Sequence, residues 1–218
     1  MDIAELSTKV GNDLSWRRKE ISDLKATHSR CRDLSKKVVR RGGIALAYAH
    51  LEGFVKFSSR AYIESLNKSG VKVKDLDRSY LAVSLSSKSN DIKSTCSIKF
   101  IIDFIGCIND VNESSFKLDP SKISTKSNLK YKVLEEIFLT LGIDASKFET
   151  SKVWLDTLVD KRNAIAHGEG TPVSENEFDD FCEKVLLFMQ TYSDELQNKA
   201  VLEYNRQVSA SITASPQI

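Results

Sequence analysis

Cysteine is scarce and unpatterned in this chain. Its four copies, Cys31, Cys96, Cys107 and Cys182, form no CxxC pair and none stands beside a histidine, which argues against a zinc framework and a disulfide scaffold. No metal ion and no cofactor is expected. Apolar runs of about 18 residues are also missing. The opening MDIAELSTKV lacks the charged and apolar blocks of a secretion signal. A soluble, cytoplasmic protein with no membrane span is expected. Charge of one sign is missing too: 32 Lys and Arg against 30 Asp and Glu give a formal charge of +2, which is not the global signature of a nucleic-acid binder. Any contact with RNA therefore has to be local. The basic clusters WRRKE, KKVVRR and KVKD fall on helical segments, where such runs are usually solvated faces.

Helix breakers are few, with 3 Pro and 9 Gly among 218 residues, and strand alternation is almost absent. What the chain does have is helical periodicity and, at 41% hydrophobic, enough apolar content for an ordinary core. A single all-α domain over 1–205 is expected, with a small, polar tail over 206–218 that has no pattern to order it. Ile3, Leu6, Val10, Leu14, Ile21 and Leu24 predict an amphipathic helix over 2–27. The segment 30–67 carries GGIALAYAHLEGFVKF, apolar or small nearly all the way round, and predicts a central buried helix. Shorter helices are expected over 75–86 and 90–109. The second of these holds Ile98, Ile101, Ile102 and Ile105, whose β-propensity finds no partner strand. Residues 109–128, rich in Ser, Lys and Asn and containing Pro120, read as the main loop, placed to move or to touch a ligand. Leu129, Val133, Ile137 and Leu141 then predict a core helix stopped by Gly142.

Two helices close the domain. The first starts near Thr150 or Ser151, either able to cap it, and turns Trp154, Leu155, Leu158, Val159 and Ile165 inward. The second opens at SENE, where Ser174 and Glu177 have capping-box spacing, and its stripe of Phe178, Phe181, Val185, Phe188 and Tyr192 reads as core. The short connection predicts an antiparallel hairpin. At its hinge end stands LVDKRNAIAHGEGTP, residues 158–172. Five helical residues separate Arg162 from His167 by roughly 140° around an ideal helix. Gly168 and Gly170 end the helix there, which lets both side chains lean toward its open end. A purely structural account is available: two cations at the negative end of a helix dipole, followed by a C-cap. Arg162, however, sits on the margin of the apolar face rather than among solvated charges.

RNAIAHG resembles the signature of the HEPN superfamily, whose nucleases carry RxxxxH, commonly with a polar residue after the Arg; Asn163 fills that place. ALAYAHLEGFVK, residues 45–56, is similar to the corresponding helix of the MAE-type HEPN-like nucleases, a branch of that superfamily. The resemblance implies a HEPN-type bundle with long central helices. It also implies metal-independent RNA cleavage at a site completed by homodimerisation. The role it suggests is that of a toxin or antiviral defence effector controlled by a regulatory or antitoxin protein.

The residue chemistry suits that activity. Attack of a ribose 2′-OH on the adjacent phosphorus needs a base, stabilisation of the phosphorane charge and an acid for the departing 5′ oxygen. His167 suits proton transfer because an imidazole is the side chain that exchanges protons near neutral pH. The permanently charged fork of Arg162 suits the phosphate. Asn163 is placed to bond phosphate or to orient the imidazole. A carboxylate inside so apolar a helix needs a partner, and Arg162 is the candidate partner of Glu52. His50 shares a face with Leu46, Phe54 and Phe57; it is a possible supporting residue but reads first as a buried, hydrogen-bonded core histidine. Tyr48 reads as packing and His28 as solvated. A catalytically silent module that binds RNA, nucleotide or protein through the same surface is the alternative, and a structural helical adaptor a third reading.

Overall fold

A computed structural model describes residues 1–86 and 97–213, with side chains described up to residue 209. Seven helices make up the described chain: α1 (Ile3–Arg30), α2 (Asp33–Lys68), α3 (Arg78–Ser86), α4 (Ile98–Glu113), α5 (Tyr131–Leu141), α6 (Lys152–Ala166) and α7 (Glu175–Thr213). Among the described residues the only extended pairing is an isolated bridge between Lys72 and Ser115.

The apolar girdle of α2 explains its central position. Ile44, Ala47, Tyr48, Leu51, Phe54, Val55, Tyr62, Ile63 and Leu66 are all buried, so neighbours must cover the helix on several sides. α1 and α7 pack along it, and α6 lies across another face. The helices approach closely at Gly43, where an added Cβ would stand 2.5 Å from the Phe178 ring. Buried hydroxyls are satisfied within this core. Tyr62 and Tyr80 share a hydrogen bond of 2.7 Å, Tyr80 donates to the Leu141 carbonyl at 2.8 Å, and Tyr192 pairs with Ser59 at 2.6 Å.

The closing hairpin is antiparallel. Lys161 reaches Glu177 at 2.9 Å while Trp154, earlier on α6, meets Phe188, later on α7. α7 runs on to Thr213, so residues 206–213 are helical where the sequence predicts an unpatterned tail; 214–218 lie outside the described residues. A charge network holds the start of the extension to the body. The buried Glu203 carboxylate is 2.9 Å from Lys199 and 3.3 Å from Arg206, and it accepts the Asp77 backbone N–H at 3.3 Å.

Other boundaries shifted for local reasons. α4 begins at Ile98, capped by the Ser97 hydroxyl, and continues to Glu113, four residues past its predicted end at 109. The predicted start of that helix, from 90 to 96, lies outside the described residues. Ile98, Ile101, Ile102 and Ile105 are indeed helical but exposed. Ahead of α6, a 3-10 turn over Ala145–Ser151 feeds directly into the helix; Ser151 takes the N-cap position as expected but its side chain makes no capping hydrogen bond, and Asp144 caps the turn through Ser146. Ser174 does cap the Glu177 N–H at 3.2 Å, but the Glu177 carboxylate turns to Lys161 rather than completing a capping box.

Candidate functional site

α6 ends as its glycine predicts. Gly168 adopts φ +81°, its N–H donates to the Ile165 carbonyl and the Glu169 N–H donates to Ala164, which is a Schellman closure. His167 is the last residue before that reversal, with φ −83° and ψ 6°, and its side chain is exposed. Among the described residues its imidazole has no hydrogen bond or ion pair. The segment that follows is pinned to α2: Arg41 donates to the Glu169 carbonyl, and Arg40 Nε donates to that of Val173 at 2.8 Å. The helix end carrying His167 is thus firmly placed while the imidazole itself is left open.

One turn and a half back, Arg162 is held on four sides. Its Cζ lies over the Tyr48 ring, 4.0 Å from the centroid. Nη1 donates to Asn163 Oδ1 at 2.9 Å and Nη2 donates to the Ser127 carbonyl at 3.0 Å. Nη2 also stands 3.6 Å from Glu52 Oε2, which makes the predicted Arg162–Glu52 pairing a feature of the fold. Both side chains are only about one-fifth exposed, at 21% and 20%. The two hydrogen bonds use two of the five guanidinium N–H groups. The Nε donor is enclosed without an acceptor.

A network fixes the partners in turn. Glu52 Oε1 accepts the Thr125 hydroxyl at 2.6 Å, and the Asn163 amide donates to Asn128 at 3.2 Å. Asn163 therefore ties Arg162 to the loop rather than touching the imidazole. Lys126 and Ser127 have φ of 52° and 53°, a left-handed pair without glycine, and this turn is what aims the Ser127 carbonyl at Arg162. The loop is secured below by Leu129, whose N–H donates to the Tyr48 hydroxyl at 2.7 Å, and by the Tyr131 N–H, which donates to Asp156 on α6 at 2.8 Å. Burial raises the Tyr48 phenol above its ordinary pKa, which keeps the hydroxyl neutral.

Sequence reasoning underrated Tyr48, and missed Thr125, Ser127 and Asn128. Tyr48 does pack, at 2% exposure, but it is also the floor beneath Arg162. Its helical spacing from Glu52, four residues, was the signal that the two share a face.

His50 is not part of this cluster. Two residues from Glu52 on a helix, it faces α1, buried at 3% exposure and set edge-on against Trp16 with centroids 5.3 Å apart. Its Nε2 is 3.0 Å from the Glu20 carboxylate, though out of line for a sound hydrogen bond. Burial lowers its pKa, the Glu20 charge offsetting only part of that effect. His28, expected in solvent, is buried at 3% exposure against Phe178 with Arg40 at 3.4 Å.

Residues 12–198 match the family described as RiboL-PSP-HEPN. The chain belongs to that family. Neither the curated proteins nor the solved structures give a match. The matched span of this RiboL-PSP-HEPN chain takes in α2 with Tyr48 and Glu52 as well as α6 with Arg162, Asn163 and His167. Its all-helical fold agrees with the superfamily to which residues 158–172 point. Among the described residues no three His, Cys, Asp or Glu side chains gather as metal ligands, and no described helix is long and apolar enough to cross a membrane.

Proposed function

We propose that this RiboL-PSP-HEPN protein is a metal-independent endoribonuclease whose active unit is a homodimer. The observation that supports it most is the contrast within one motif: Arg162 is fixed over Tyr48 beside Glu52, whereas His167, five residues on, stands exposed at a rigid helix end. A fixed cation with N–H groups to spare suits a phosphate, and an open imidazole suits proton transfer.

In this reading Arg162 grips the scissile phosphate and stabilises the charge of the phosphorane, and Asn163 and Glu52 act as positioning residues for it. One His167 takes the proton from the 2′-OH as that oxygen attacks phosphorus. The His167 of a second copy protonates the departing 5′ oxygen, leaving a 2′,3′-cyclic phosphate on one fragment and a 5′-OH on the other. The resemblance of residues 45–56 to MAE-type nucleases concerns the helix that seats Arg162, and it supports placing the protein on that branch. It also supports a cytoplasmic role as a toxin or antiviral defence effector, restrained by a regulatory or antitoxin protein.

The test is incubation of the purified protein with total RNA in EDTA beside the His167→Ala protein. Cleavage in chelator with cyclic phosphate ends, absent from the variant, is the expected result; a strict requirement for Mg²⁺ overturns the mechanism. Binding of RNA without turnover by the wild-type protein identifies the silent module instead.

A further inference from the structure

Along α2 from Glu52, Lys56 and Arg60 follow at intervals of four residues, so they stand about 6 and 12 Å farther up one side of the helix. Beside them a cavity of about 310 Å³ opens between α1 and α2, with Lys9, Gly53, Lys56, Phe57, Arg60 and Glu64 in its lining. That volume is at the small end for ligand sites, which span roughly 300–1,000 Å³.

Two of the three cations in this lining, Lys56 and Arg60, have no carboxylate partner among the described residues. Lys56 has no ion-pair partner among the described residues. Arg60 donates from Nη2 to the backbone carbonyls of Ile123 at 3.1 Å and Ser121 at 3.5 Å, and no carboxylate is within ion-pair reach of it among the described residues. An arginine held by carbonyls is oriented without losing its charge. Lys9 is paired to Glu5 at 3.1 Å, and Glu64 is the one carboxylate in the lining. Phe57 completes the set: the residue lines the cavity and is 39% exposed, where a core residue would be covered. Uncompensated cations around an open aromatic face are what a single-stranded nucleic acid needs, the cations for its phosphates and the ring for a base.

The same loop borders both places. It bonds Arg60 through Ile123, Glu52 through Thr125 and Arg162 through Ser127. A strand whose phosphate lies on Arg162 can therefore continue beside this loop, past Lys56, to the cavity.

We propose that the cavity at Lys56, Phe57 and Arg60 is a subsite for a nucleotide flanking the scissile phosphate of single-stranded RNA, with Phe57 stacking on the base. The proposal rests on reading the Arg162 site as an RNA site. It assigns the protein a substrate longer than the two nucleotides that the chemistry needs.

The test uses the His167→Ala protein, so that cleavage does not interfere, and a fluorescein-labelled eight-nucleotide single-stranded RNA followed by anisotropy. Phe57→Ala should weaken binding about tenfold without changing its salt dependence, and Phe57→Trp should restore it. Lys56→Glu should weaken binding and flatten the salt dependence. A labelled dinucleotide should be indifferent to all three changes. Wild-type affinity for the eight-mer in both Phe57→Ala and Lys56→Glu, with helical CD unchanged, overturns the subsite; so does equal affinity for a duplex of the same sequence. Binding that depends on Phe57, together with a wild-type protein that cleaves no RNA, sinks the nuclease reading and leaves the subsite standing.

Discussion

The Arg162 guanidinium rests on the face of Tyr48, and the hydroxyl of that same ring accepts the backbone N–H of Leu129. One side chain therefore serves as floor for the cation and anchor for the loop, and the two roles are separable. Tyr48→Phe keeps the ring and leaves the buried Leu129 N–H without its acceptor, which should cost about 1–3 kcal/mol of stability. RNA cleavage per folded molecule should survive. Tyr48→Leu should lower cleavage as well, because no π-face then holds Arg162. Urea unfolding combined with cleavage rates in the folded range checks both. Equal loss of cleavage in the two variants would show that the hydroxyl, not the ring, positions the arginine.

Arg162 and His167 should be equal in activity and unequal in stability. His167 is exposed and unbonded, so His167→Ala should stay within roughly 0.5 kcal/mol of wild type. Arg162→Ala strands the Ser127 carbonyl and the half-buried Glu52 carboxylate, and should cost about 1–3 kcal/mol. Both should abolish most RNA cleavage with helical CD preserved at low temperature. If the His167 variant were the less stable of the two, the account of this site would be wrong.

Much of the site was legible because it lies on two helices whose period is fixed. Glu52 needed a partner for energetic reasons that hold wherever it is buried, and Arg162 sat at the matching edge of another apolar stripe. The loop supplied what periodicity does not encode. Ser127 acts through its carbonyl, which every residue has, and its aim depends on left-handed dihedrals at Lys126 and Ser127 that neither residue type favours. His28 was harder for a related reason: its burial comes from Phe178 on the distant α7, whereas His50 was legible as a core histidine from the apolar face it shares. The placement of Arg206 likewise depends on a network with Glu203 and the distant Asp77 that no local pattern encodes.

Two glycines should differ in how much they tolerate alanine. Gly168 has φ +81° with open space around a built Cβ, so Gly168→Ala should cost only the left-handed strain, about 1–2 kcal/mol. Gly142 has φ +64°, and its Cβ would stand 2.7 Å from Ser79 Oγ and 2.8 Å from Lys199 Nζ. Gly142→Ala should therefore be the more destabilising, since it adds displacement of the Lys199 charge network to the same strain. The activity effect should run the other way. Gly168→Ala moves the helix end that presents His167 and should reduce cleavage at temperatures where Gly142→Ala still cleaves normally. Thermal melts and cleavage assays on the same preparations provide the comparison.

Acid should weaken the fold through His50. Burial holds its folded pKa below the unfolded value of about 6.5, so the unfolded chain binds the extra proton first. The stabilisation is complete above about pH 6.5 and is lost as pH falls from there through the lower folded pKa. His50→Gln should flatten the decline in unfolding free energy as pH falls below about 6.5. An unchanged slope would assign the acid sensitivity to other groups.

The last expectation concerns assembly, and it follows from what one chain holds. Each chain carries one Arg162 and one His167, whereas one turnover needs a proton removed from the 2′-OH and another delivered to the leaving oxygen on opposite sides of phosphorus. Two-fold pairing supplies a second imidazole with no further sequence. The exposed, unbonded His167 at a pinned helix end is suited to meeting it. Adding a large excess of His167→Ala protein to wild type should then inhibit, because subunit exchange draws wild-type chains into dimers with a single imidazole. A site complete within one chain predicts no inhibition beyond competition for RNA, and saturating substrate removes that competition. Dilution gives an independent reading: cleavage per chain should fall where sedimentation shows the dimer dissociating. A monomer that cuts RNA at an undiminished rate would rule out the composite site.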